Sequence, residues 1–137
     1  MTPEFLSAVV DTLLPGDHSA TPLPTGTAAG VTAKLERLGG TAHDTVLIAI
    51  ARVGHGEEAF VRADAAGRIA SVRLVEAEMP EAFRALIAFV IRDYYEAEPV
   101  LLAMGWRAEP PQPAGHSLPP FDQTLLELVK RRARMWR

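Results

Sequence analysis

Apolar residues recur at helical spacing along most of this chain, and short runs rich in proline and glycine separate the recurring stretches. In residues 5–14 the apolar positions fall on one broad helix face. Thr2, Pro3 and Glu4 precede them in the order of an N-cap, a first-turn proline and an acid that suits the helix dipole. The pattern stops at residues 15–17, so the sequence predicts a helix from Pro3 and then a loop.

Three helices are predicted in the middle of the chain. The first covers Thr27 to Leu38 and ends at a pair of glycines. Thr41 caps the second, whose apolar side chains, including that of Ile48, are expected to be mostly buried. The third runs from Glu57 to Ala66, and Gly67 marks a possible break.

The segment that follows allows two interpretations. Residues 69–78 continue the helical pattern, although residues 69–75 also alternate well enough to form a strand. Residues 79–81, Met-Pro-Glu, then open the strongest helix, with an apolar stripe facing inward and charged residues facing solvent. The predicted stripe consists of Phe83, Leu86, Ile87, Val90, Ile91 and Tyr94.

The C-terminal third changes character. A short helix is predicted from Pro99 to Gly105, and five prolines then fall between positions 110 and 120. Prolines stiffen an extended chain and leave it few packing partners of its own. Asp122 caps a final helix with apolar residues at helical spacing.

Length and composition agree with one globular domain. The chain has 137 residues, of which 48% are hydrophobic and 23% are charged. We predict an all-α fold, a compact bundle of five to seven helices with an extended proline-rich C-terminal arm and a final basic helix. Residues 1–106 form the helical body, and residues 107–137 form the arm and last helix of the same domain.

Charge is distributed unevenly. The net charge is −3, yet five of the 14 basic residues and none of the 17 acidic ones lie in the last eight positions. A basic end can bind an acidic partner or phosphates, or it can simply suit the C-terminal dipole of a helix. The negative net charge argues against nucleic acid as the main partner. The absence of cysteine excludes disulfides and thiolate chemistry.

Catalytic motifs are sparse. The four histidines form no HExxH motif and no pair at i, i+4. A metal-dependent enzyme that uses His18, His43 or His55 with neighbouring carboxylates remains an alternative. Asp93 and Glu96 stand about one turn apart and could do acid–base work, but paired charges on a solvated helix face are the commoner arrangement. We predict no catalytic, cofactor-binding or metal-binding residue in this chain.

Three aromatic residues carry the functional prediction. Tyr94 is expected to face the core with Val90 and Ile91. Tyr95 and Trp106 either anchor an interface or fold inward and fasten the short helix to the long one.

Residues in most of the chain outside positions 18–58 follow a recognisable order. They are the opening FLSAVVDTLLPGD, Phe60, Arg68, Arg73, Pro80, Phe83, the Tyr94-Tyr95 pair, Pro99-Val100, Gly105-Trp106, the segment PPQPAG, Pro120, Asp122 and the final Trp136-Arg137. This order resembles that of the gluconate 2-dehydrogenase subunit 3 family. The resemblance implies a small non-catalytic partner of flavin-dependent sugar and polyol dehydrogenases of the glucose–methanol–choline type.

This resemblance implies a hetero-oligomer in which FAD is bound by the large subunit and no cofactor is bound by this chain. The chain would bind and stabilise that subunit through its aromatic, proline-rich and basic C-terminal third. The predicted partner-binding residues are Tyr95, Trp106, Pro110, Pro111, Pro113, Phe121, Arg131, Arg132, Arg134 and Trp136.

Many members of the family carry a twin-arginine leader, and this sequence shows none. We therefore expect a cytoplasmic location as the sequence stands, or a periplasmic one if a leader has been removed. No apolar run is long enough to predict a membrane span. The alternative function is that of a free-standing helical binding or regulatory protein that uses its basic C-terminal helix.

Overall fold

A computed structural model describes residues 1–17, 19, 22–37, 42–106, 115 and 122–131. Within these ranges the chain contains helices and no strand, so the all-α prediction is confirmed. The helices are α1 (Pro3–Leu13), α2 (Val31–Arg37), α3 (Ala42–Val53), α4 (Glu57–Arg62), α5 (Ala65–Glu78), α6 (Pro80–Tyr95), α7 (Glu98–Ala103) and α8 (Thr124–Lys130). The strand considered for residues 69–75 is wrong, because these residues belong to α5.

The core lies between α6 and the helices that pack around it. Helix α6 packs against α2, α3, α5 and α7, while α1 packs against α2, α4 and α5. Phe5 and Phe60 are fully buried and meet edge to face, with ring centroids 5.5 Å apart. Edge-to-face pairs of this kind add to the stabilisation from burial. The contact fastens the N-terminal helix to α4.

Both ends of α1 follow from local sequence. The Thr2 hydroxyl accepts a hydrogen bond from the Phe5 backbone N–H, as the predicted N-cap requires. At the other end the chain leaves the helix at Leu14, whose carbonyl accepts a hydrogen bond from the Gly26 N–H at 2.9 Å. This bond brings the two ends of the segment between α1 and the turn before α2 together.

Asp17 organises the described part of that loop. Its Oδ1 accepts hydrogen bonds from the backbone N–H groups of Ser19 and Leu23, at 3.2 and 3.0 Å. Gly16 has a φ of 71°, and a Cβ at this position would come within 2.7 Å of the Leu23 carbonyl oxygen. Asp17 and Gly16 therefore hold the described residues on either side of this loop close together.

Two predicted helix boundaries differ from the structure. The helix predicted from Thr27 begins only at Val31, because residues 26–30 form turns. The break predicted at Gly67 lies before α5 instead, where Asp64 caps the helix and accepts a hydrogen bond from the Gly67 N–H at 2.8 Å. Gly67 is thus inside the first turn of α5 rather than at a break.

Two apolar residues predicted to be inside are exposed. Ile48 is 61% exposed, because its neighbours Val46, Leu47 and Ile50 occupy the inward positions of α3. Ile91 is 42% exposed and lies one residue beyond the buried Val90. A step of one residue rotates a side chain by about 100° around the helix, which is enough to carry it out of the core.

No helix in the described part of the chain has both the length and the apolar character needed to cross a membrane.

Candidate partner-binding surface

Tyr94 faces the core, as predicted, and only 3% of it is exposed. Its hydroxyl donates a 2.6 Å hydrogen bond to the Pro24 carbonyl oxygen. Burial raises the pKa of the Tyr94 phenol above its ordinary value, and Tyr95 and Asp17 raise it further. Tyr94 therefore joins the end of α6 to the loop between α1 and α2.

Tyr95, the next residue, points to solvent. Its side chain is 48% exposed, and its ring rests edge to face on that of Tyr94 with centroids 5.4 Å apart. The sequence left open whether Tyr95 packs inward or lies at the surface, and the structure places it at the surface. Its ring is held in position by a neighbour that is itself fixed by packing and a hydrogen bond.

Trp106 follows α7 and is held by the way that helix ends. Gly105 has a φ of 75°, its N–H bonds to the Leu102 carbonyl, and the Trp106 N–H bonds to the Leu101 carbonyl at 2.8 Å. These two bonds form a Schellman motif, which needs a left-handed residue and so favours glycine. The backbone of Trp106 is thus fixed while its side chain is 64% exposed.

Several apolar side chains are exposed in the same part of the chain, from the last turns of α6 to the end of α7. We call this set the aromatic end, and it consists of Ile91, Tyr95, Leu102, Met104 and Trp106. Ile91 and Tyr95 are four residues apart and share one face of α6. Leu102 and Met104 are not among the partner-binding residues predicted from the sequence. A signal was present for Leu102, because a residue two positions after the buried Val100 points to the opposite side of a helix.

The charges at this end separate into a buried and an exposed group. Asp93 is buried, in contrast to its predicted place on the solvated face of α6, and Lys34 and Arg92 lie 3.9 and 3.4 Å from its carboxylate. Glu96 and Glu98 are exposed in the turn between α6 and α7. Asp93 and Glu96 are therefore not a pair on one surface, which removes the acid–base arrangement considered from the sequence.

The predicted C-terminal contacts are only partly visible. Arg131 is exposed just after α8. Asp122 accepts hydrogen bonds from the backbone N–H and the hydroxyl of Thr124, at 2.9 and 2.7 Å. These bonds lower the pKa of the Asp122 carboxyl. Asp122 was predicted as the cap of the final helix, but α8 begins at Thr124, so Asp122 lies one position before the N-cap. The other predicted contacts lie outside the described residues: Pro110, Pro111, Pro113, Phe121, Arg132, Arg134 and Trp136.

The histidines that the structure describes are not grouped. His43 lies on α3 with its ring 5.2 Å from that of Phe89, and His55 is an exposed turn residue with a φ of 61°. Among the residues with described positions, no group of three or more histidine, aspartate or glutamate side chains could hold a metal ion. His18 and His116 lie outside those residues.

The chain matches no protein-family model, no curated protein and no solved structure with which it was compared.

Proposed function

We propose that this chain is the small, non-catalytic subunit of an FAD-dependent sugar or polyol oxidoreductase, and that it binds and stabilises the large flavin-bearing subunit. The observation that carries the proposal is the aromatic end. Tryptophan, tyrosine and methionine are enriched at protein interfaces, and five of the large apolar side chains that the described residues expose fall in this short stretch of the chain.

The positions of the residues that resemble the family support the same function. Pro80 begins α6, Tyr94 fastens the loop that contains the Leu-Pro-Gly-Asp sequence, and Gly105 forms the turn that presents Trp106. Tyr94 and Gly105 support the aromatic end directly, whereas Pro80 begins α6 at its opposite end.

Rigidity at this end also favours binding. Tyr95 rests on a buried ring, and the backbone of Trp106 is fixed by two hydrogen bonds of a helix end. Side chains and backbone that are already ordered lose less conformational entropy when a complex forms. Large aromatic residues presented in this way are typical of binding hot spots.

Co-expression tests the proposal directly. The tagged full-length chain is produced with a flavoprotein of the glucose–methanol–choline type that is encoded beside it in the source genome. We expect a yellow complex to be purified through the tag, with more soluble large subunit than in a culture that lacks this chain. Failure of the wild-type chain to form a stable complex would contradict the proposal.

Two variants sharpen the test. Trp106→Ala, and separately truncation after Pro120, are expected to reduce the flavin that copurifies much more than they reduce the helicity of the isolated chain. Equal losses of both would show that these residues are part of the core. Binding to nucleic acid or lipid that is salt-dependent and disappears on deletion of residues 130–137 would instead favour the free-standing binding protein.

A further inference from the structure

We draw no further inference here: the strongest candidate, the exposed apolar face of α5 around Leu74 beside the groove that α5 forms with α4 and the end of α3, carries none, because nothing in the described part of the chain shows what covers it.

Discussion

The two sides of α6 at its C-terminal end use the same type of side chain for different purposes. On the inner side, Tyr94 is buried and its hydroxyl is bonded to the Pro24 carbonyl. On the outer side, Tyr95 is half-exposed and its ring lies on that of Tyr94. A rotation of one residue around the helix separates a structural tyrosine from a surface one. The inner side thus builds the support on which the outer side is presented.

The largest expected effect is on stability and belongs to the inner side. Tyr94→Ala removes a buried ring and a hydrogen bond, so we expect the free energy of unfolding to fall by about 3–5 kcal/mol. Tyr95→Ala on the outer side is expected to cost less than about 1 kcal/mol, since half of the side chain is already in water. Urea unfolding followed by circular dichroism measures both. Similar losses for the two variants would contradict the comparison.

The next effect is on binding and concerns Trp106, which lies beyond the end of α7. Trp106→Ala is expected to weaken the complex with the large subunit by about 2 kcal/mol, which is roughly 30-fold in affinity. The matched control is Leu74→Ala, which truncates an equally exposed apolar residue on α5. We expect the control to stay within about threefold of wild type in titration calorimetry. A larger loss for Leu74→Ala than for Trp106→Ala would move the interface to α5.

A smaller effect is expected when only the hydrogen bond of Tyr94 is removed and its buried ring is kept. Tyr94→Phe keeps the packing of the ring and leaves the Pro24 carbonyl without its donor, at an expected cost of about 1 kcal/mol in the free energy of unfolding. Amide hydrogen exchange is expected to rise in residues 22–26 and to stay unchanged in α3. Tyr95→Phe is the control, since its hydroxyl has no described partner in the core. Unchanged exchange in the loop would show that other bonds hold it.

The smallest effect is on pH dependence. The pKa of Tyr94 is raised in the folded chain, so the folded state holds the phenolic proton more tightly than the unfolded state does. This contribution is fully present below pH ~10, where a tyrosine in the unfolded chain is still protonated, and it is lost as pH rises through the folded pKa. Between pH 9 and 11 the stability of wild type should therefore fall more steeply than that of Tyr94→Phe. Parallel curves in urea unfolding would contradict this origin.

Local rules were sufficient for the elements whose ends are set by neighbouring residues. The Thr2 cap, the first-turn prolines of α1 and α6, and the glycine end of α7 were predictable, because each depends on residues within one turn. The Asp64 cap was not predicted, because the glycine three residues later was interpreted as a break in the helix. The structure shows Gly67 donating to Asp64 inside the helix, so the glycine serves the cap rather than interrupting the helix.

Features that depend on distant partners could not be predicted. The loop after α1 contains no periodicity, and its order comes from bonds to Asp17 and from Tyr94, which lies 70 residues from Pro24. The exposure of Ile48 and Ile91 was missed for another reason. Each lies at the edge of an apolar stripe, where the packing of neighbouring helices decides which residue is covered.

The candidate surface was predictable in kind but not in extent. The amphipathic nature of Tyr95 and Trp106 marked them as interface or core residues, and only packing could decide between these. Leu102 lies in α7 and Met104 directly follows it, and α7 packs against α6.

The long span of the Tyr94–Pro24 bond has a consequence for the order of events during synthesis. The residues it joins lie near the beginning of the chain and near the end of the helical body, so the loop receives its last support only after α6 has been made. A nascent chain that still lacks α6 has no finished surface to offer. Under the proposed function, binding to the large subunit can therefore begin only after α6 and α7 have emerged from the ribosome.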